Sequence, residues 1–306
     1  MQLHRGIGHL PAFKNSVITI GTFDGVHQGH RKIIDSVVDE ARKINGSSIL
    51  ITFDPHPRKV VNPDQPLSLI NTIDEKTELL AQTGLDHVVI VPFTKAFSEI
   101  PADDYMEEFL VKNFHPHTII IGYDHHFGKD RAGNWKLLEE KANDFHYQLK
   151  EIPRQALDEV AISSTKIRKA LLTGDVEQAN RLLGYNFFFE GRVIHGDKVG
   201  RELGYPTANL QLTGADKIRP CDGVYAAYVQ LNEKTYKAMM SVGNRPTLPG
   251  SDYRVEVNLF DFDGDLYGQT LRVSVKKYLR PQEKYDSLEA LKKQIEKDKE
   301  NSLAVL

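Results

Sequence analysis

The hydrophobic period of this chain changes once, near Gly184, and that change calls for two different architectures. Before it, short apolar or β-branched runs at Val17–Ile20, Ser48–Phe53, His87–Val91, Thr118–Ile121 and Tyr147–Ile152 alternate with segments of helical spacing. The helical segments lie near Ile33–Ala41, Asp74–Gln82, Ala102–Lys112 and Gly133–Ala142, followed by Ser164–Thr173 and Asp175–Gly184. Strands apolar on both faces and separated by helices predict a parallel sheet covered on both sides. After Tyr185 the strand-like runs follow one another with only Gly, Pro and Asn clusters between them, at Phe187–His195, Gly223–Leu231, Tyr236–Val242, Tyr253–Phe260 and Thr270–Tyr278. That pattern predicts a small antiparallel sheet or closed barrel. A final helix carries Leu288, Leu291 and Ile295 on one face, with Asp286 and Glu289 spaced as a capping box. The expected domains are residues 1–184 and 185–306.

Composition narrows the function classes. With 39 Lys plus Arg against 42 Asp plus Glu, the formal charge of −3 gives no bulk attraction to nucleic acid or anionic lipid. The single cysteine, Cys221, cannot close an intramolecular disulfide or supply a thiolate metal cluster. No run reaches the roughly 18 apolar residues of a membrane span, and the first residues lack the apolar core of a leader peptide. The expectation is a cytoplasmic protein acting on small molecules, with neither membrane nor nucleic acid as partner, monomeric or weakly self-associating.

Eleven of the twelve histidines precede Gly184, and His195 alone follows it, so different chemistry is expected in the two parts. In the first part, GTFDGVHQGH (Gly21 to His30) stands where the first predicted strand hands over to the first long helix. Ligands of open parallel sheets bind at that end of the strands, where a helix N-terminus offers free N–H groups to phosphate. Gly21, Gly25 and Gly29 permit tight turns, and His27 and His30 are placed to donate hydrogen bonds to phosphate oxygens. Three later segments, TFDPHP (Thr52 to Pro57), GYDHHFG (Gly122 to Gly128) and ISSTKIR (Ile162 to Arg168), also lie at strand ends or helix starts and can converge on the same rim.

In the second part, GRVIHGDKVGRELGYPTANL (Gly191 to Leu210) carries glycines too often for a packed strand, as suits a loop approaching a phosphate. Thr207 and Asn209, two apart after Pro206, offer oxygen donors on one side of an extended chain, and hard oxygens suit Mg²⁺. SVGNRPT (Ser241 to Thr247), YRVEVNLFDF (Tyr253 to Phe262) and the stretch from Tyr278 to Asp298 follow.

In this order and at these spacings, the segments resemble the bacterial bifunctional riboflavin kinase and FMN adenylyltransferase family, also called FAD synthetase, over nearly the whole chain. The resemblance implies a Rossmann-like nucleotidyltransferase domain followed by a β-barrel riboflavin kinase domain with a C-terminal helix. It implies phosphorylation of riboflavin to FMN and adenylylation of FMN to FAD with release of pyrophosphate, both using ATP and Mg²⁺. Carried over by position, His27 and His30 contact the ATP phosphates. Ser163, Ser164, Thr165 and Arg168 hold the triphosphate, with Arg168 stabilising the departing pyrophosphate. Gly21, Phe23, Asp24, Gly25, Gly29, His56 and Asp124 join them in binding nucleotide and flavin. In the second module Gly196, Gly200, Arg201 and Gly204 form the phosphate loop, Thr207 and Asn209 bind Mg²⁺, and Glu256 is the general base toward riboflavin. Asn258 stands where relatives often carry histidine, and Val199 lies in a loop where relatives vary. Two alternatives stay open at this point: an adenylyltransferase with weak or lost kinase activity, and a flavin-binding regulatory protein without turnover.

Overall fold

The computed structural model describes residues 1–122, 125–152, 162–196, 200, 204–243 and 253–306. The chain forms two compact units, one of residues 1–67 and 73–163, the other of residues 68–72 and 164–306.

The first unit is built on six parallel strands: β1 (Gln2–Arg5), β2 (Ser16–Ile20), β3 (Ser48–Asp54), β4 (His87–Pro92), β5 (Pro116–Gly122) and β6 (Gln148–Ile152), in the order β1-β4-β3-β2-β5-β6. Every residue of β2, and every residue of β3 except Asp54, is buried, as expected of strands covered on both faces. The helices include α1 (Gln28–Lys43), α2 (Pro57–Val61), α3 (Ile73–Ala81) and α4 (Trp135–Lys141). α1 buries Ile34, Val37, Val38 and Ala41, the apolar stripe read from its spacing. A second layer runs through Tyr105, Met106, Phe109, Leu110 and Phe114, which pack with Ile18, Ile49 and Ile119 of the strands. The stretch read as one helix from Ala102 is α-helical over Ala102–Asp104, π-helical over Tyr105–Val111 and α-helical again over Lys112–Phe114.

Two features of this sheet position the site. All strands point the same way, so their carboxyl ends share one rim. The chain moves outward through β3 and β4 on one side of β2 and through β5 and β6 on the other, which makes the β2–β5 boundary the topological switch point where such sheets bind ligands. The segment from Gly21 to His27 leaves β2 at that point.

The second unit opens with α5 (Ser164–Leu172) and α6 (Val176–Leu183). Its six strands are β7 (Phe188–Ile194), β8 (Ala208–Leu212), β9 (Gly223–Leu231), β10 (Lys234–Gly243), β11 (Arg254–Leu259) and β12 (Thr270–Arg280). They close into an antiparallel barrel in the order β10-β11-β8-β7-β12-β9. The short strip Ser68–Thr72 belongs to this unit. Leu69 pairs with Lys217, and the buried Lys217 ammonium donates to the Ile70 carbonyl at 2.7 Å.

The closing helix α7 (Leu288–Val305) is capped by Ser287, whose Oγ accepts from the Ala290 N–H at 3.1 Å, one residue later than the capping box read at Asp286. Its anchor is polar. Arg280 of β12 donates from Nε and Nη2 to the two oxygens of Asp298 at 2.8 and 2.6 Å, and the Asp298 side chain is only 3% exposed. Gln294 adds a bond at 2.9 Å. Removing one partner of a buried pair leaves the other charge uncompensated, at a cost of about 3 kcal/mol or more. Asp298→Ala should therefore lower the unfolding free energy of this unit by about that amount in a denaturant titration. A change below about 0.5 kcal/mol, as at an ordinary surface site, would show that the pair does not hold the helix.

Candidate active sites

The turn after β2 is built under strain. Phe23 and Val26 have φ of +46° and +36°, and Gly25 has +92°. Valine is disfavoured at positive φ by its branched Cβ, so this conformation persists only because the surroundings hold it. His27 then caps α1, its Nδ1 accepting from the His30 N–H at 3.2 Å. The two imidazoles stack with centroids 3.5 Å apart and planes 15° from parallel. Gly29 packs close against the stack. A Cβ there would stand 3.3 Å from the His27 ring, closer than most real contacts. The two outer residues of HxGH thus stand ring to ring across the glycine between them.

Phe23 packs edge-on to His30. His30 Nδ1 is shut off from solvent with no hydrogen-bond partner among the described residues. Burial, then the neighbouring charges of His27 and Lys76, hold the His30 imidazole well below its ordinary pKa of 6.5. Asp24 is buried at the same turn. His56 caps α2, its Nδ1 accepting from the Arg58 N–H at 3.1 Å. Asp124 lies outside the described residues. Ser163 is the last residue of the first unit, and Ser164, Thr165 and Arg168 are on the opening turns of α5 in the second. Arg168 Nε donates to the Ser68 carbonyl at 2.8 Å.

In the barrel, strand register assembles the site. Asn209 of β8 pairs directly with Glu256 of β11 and, on its other side, with Ile194 of β7. Gly196 lies so close over Asn209 that a Cβ would fall 2.0 Å from its Nδ2. Gly200 fits as tightly, its Cβ position being 2.5 Å from the Tyr205 carbonyl and 3.1 Å from Thr207 Oγ1. A side chain at Gly196 would displace Asn209, and one at Gly200 would displace the Tyr205 carbonyl and crowd Thr207. Gly204, at φ of +84°, faces open space, so its role is conformational. Arg201 and Val199 lie outside the described residues.

A cavity of about 640 Å³ opens beside these residues. Thr207, Glu256 and Asn258 line it, and Met239, Leu291 and Ile295 give it apolar walls. A flat, largely apolar ring with a polar tail is a ligand of suitable size for such a space. Asn258 donates to the Pro206 carbonyl at 2.6 Å, so it ties down the turn that carries Thr207.

Comparison with known proteins agrees with both halves. The FAD synthetase family matches residues 10–166, and the riboflavin kinase family matches residues 183–306. A bifunctional riboflavin kinase/FMN adenylyltransferase of Escherichia coli is 36% identical over 97% of this chain and 96% of its own length. The chain belongs to the bifunctional riboflavin kinase/FMN adenylyltransferase family. A Haemophilus influenzae member is 35% identical over 99% of both chains. A solved Streptococcus pneumoniae structure, described as a macrolide-efflux protein, is 32% identical and superposes with a TM-score of 0.88 over 98% of both chains. Among the described residues of this family member, no helix is long and apolar enough to cross a membrane.

The motifs left out three groups that the structure places here. Lys76 of α3 is buried beside the β2–α1 turn and donates to the Thr22 carbonyl. Arg254 and Gln282 line the barrel cavity. Arg254 had a sequence signal, standing two before Glu256 on the same strand face.

The neutral His30 has a consequence for stability. Below pH 6.5 the unfolded chain protonates this histidine while the folded one resists, so the unfolded state binds more protons and stability falls with pH. His87, also lowered, chiefly by burial, acts in the same direction. Unfolding free energy should decline as the pH falls below 6.5, with a shallower decline in His30→Gln. Equal slopes in the two proteins would show that His30 takes up its proton in the folded state as it does in water.

Proposed function

We infer that the chain performs two ATP-dependent transfers in sequence: phosphorylation of riboflavin to FMN, then adenylylation of FMN to FAD with release of pyrophosphate. The observation that carries this reading is the coexistence, in one chain, of a strained HxGH turn at the switch point of a parallel sheet and a barrel in which Asn209 is paired with Glu256. We assign the first transfer in the reaction order to residues 185–306 and the second to residues 1–184.

In the kinase step, Glu256 accepts the proton of the terminal ribityl hydroxyl as that oxygen attacks the γ-phosphorus of ATP and ADP departs. Thr207 and Asn209 are the residues that would hold Mg²⁺. Two neutral oxygen donors suit an ion that keeps most of its shell as water and phosphate oxygen, and the bare backbone at Gly196 and Gly200 leaves room where a side chain would intrude. When bound, the ion neutralises charge on the transferring phosphates. In the adenylyl step, a phosphate oxygen of FMN attacks the α-phosphorus of a second ATP, and the bond to pyrophosphate breaks. A neutral His30 carries one N–H to donate, and His27, held against it, aligns the pair. Gly21, Phe23, Asp24, Gly25 and Gly29 shape the turn that receives the nucleotide, with His56 on its flavin side and Asp124 a candidate for the nucleotide side. Ser163, Ser164, Thr165 and Arg168 take the triphosphate. The partners are riboflavin, FMN and ATP, handled by a cytoplasmic monomer or weak homo-oligomer.

The reading with a weakened kinase rested on Asn258. Its hydrogen bond to Pro206 supports an intact kinase site, since the residue secures the turn that bears Thr207.

The test is incubation of riboflavin with Mg-ATP and chromatographic separation of FMN and FAD. His30→Ala should lower FAD formation at least about a hundredfold and leave FMN formation intact. Glu256→Gln should lower FMN formation by a similar factor while added FMN is still converted to FAD. Flavin binding without turnover in the parent protein would overturn the catalytic reading in favour of a regulatory one.

A further inference from the structure

The Thr22 carbonyl, inside the strained turn, accepts two hydrogen bonds from outside it: from Thr52 Oγ1 of β3 at 3.1 Å and from Lys76 Nζ of α3 at 2.8 Å. Lys76 is only 6% exposed, and lysine is seldom buried unless its charge is compensated. The cost of burial lowers the Lys76 pKa, and two elements oppose it, Asp24 in the turn and Asp54 at the end of β3, both of which favour the ammonium. On its own helix Lys76 shares the buried face with Glu75, Leu79 and Leu80, where a methionine or leucine would pack without that cost.

We propose that Lys76 is a positioning residue for adenylyl transfer, pinning the β2–α1 turn through the Thr22 carbonyl and setting a fixed positive charge behind His30. The proposal rests on the adenylyltransferase reading of this turn. Two roles follow from the geometry. The hydrogen bond keeps Phe23, Gly25 and Val26 in their positive-φ conformations, without which His27 would not arrive at the N-cap of α1. The charge disfavours a proton on His30, adding to burial and to His27. His30 is thereby kept as a single-donor imidazole that meets an incoming phosphate without first losing a proton to solvent. The charged and titratable groups that bear on this arrangement are His27 beside His30, Lys76 behind it, and Asp24 and Asp54 around Lys76.

Lys76→Met, Lys76→Gln and Lys76→Arg in the full chain separate these roles. Lys76→Met should reduce kcat for FAD formation about a hundredfold, the usual cost of a displaced catalytic geometry, with FMN formation unchanged. It should also raise the pH at which the His30 imidazole titrates by NMR and move the acidic limb of the FAD-forming pH profile upward with it. Lys76→Gln, which keeps a donor for Thr22 but no charge, should show the same rise of the His30 titration, and it decides the matter if the methionine variant does not fold. Lys76→Arg should keep at least a tenth of the parent rate. A folded Lys76→Met or Lys76→Gln protein with His30 titrating as in the parent would overturn the proposal, as would an arginine variant no better than the methionine one. His30→Ala run alongside distinguishes the two levels. If His30→Ala still makes FAD, the adenylyltransferase reading of the turn fails. If it loses FAD formation while Lys76→Met does not, only the role of Lys76 fails.

Discussion

In the barrel, the backbone hydrogen bonds of β8 to β7 and β11 set Ile194 beside Asn209 and Asn209 beside Glu256. A slip of one residue in the β8–β11 ladder would turn Glu256 away from Asn209 and reverse which side chains of the slipped strand face the cavity. The site is therefore a property of register before it is a property of any side chain. The parallel sheet obeys a related constraint. Its strands share one direction, so loops distant in sequence arrive on one rim, and the strand order reverses beside β2, at the turn that carries His27, where sheets of this kind bind ligands. Closure has a further effect in the barrel, since none of its six strands presents an unpaired edge.

Both sites use missing side chains as positively as present ones. Gly29 admits the His27 ring, and Gly196 admits the Asn209 amide. In each case a polar group is held by backbone packed against it. Such contacts are stiff because the backbone of a strand or helix cannot rotate away as a side chain can. The strained turn at Phe23 and Val26 belongs to the same economy: an unfavourable local conformation is maintained by α3 and β3, through the two donors that meet on Thr22.

What could be read from sequence was what is local. The apolar runs of β2 to β6 and the stripe on α1 depend only on periodicity, and the glycine and histidine spacings mark turns over a few residues. β1 escaped because QLHR is an edge strand with hardly any apolar signal, fixed by pairing with β4 more than 80 residues away. β8 escaped because its five residues begin two positions after Pro206 and read as the continuation of a turn. Lys76 looked like an ordinary helix charge, since its burial is decided by Thr22, Asp24 and Asp54, none of them near it in sequence. Asn258 looked like a departure from pattern until its bond to Pro206 gave it a structural task. The π-helical turn in Tyr105–Val111 has no signature in the residue types that spacing alone would expose.

The strip Ser68–Thr72 gives the second unit a history as well as a shape. Its carbonyl at Ile70 is the acceptor for Lys217, 147 residues later, and Lys217 is almost wholly buried. On the ribosome this strip emerges before any strand of the barrel, since all six barrel strands follow it in sequence. The C-terminal unit is consequently not one continuous stretch of chain. A fragment beginning at α5 would leave that acceptor behind, and Lys217 would keep only its other contacts, the Phe187 and Phe188 rings among them. The two halves are thus joined by more than a peptide bond: part of the later one is encoded in the earlier.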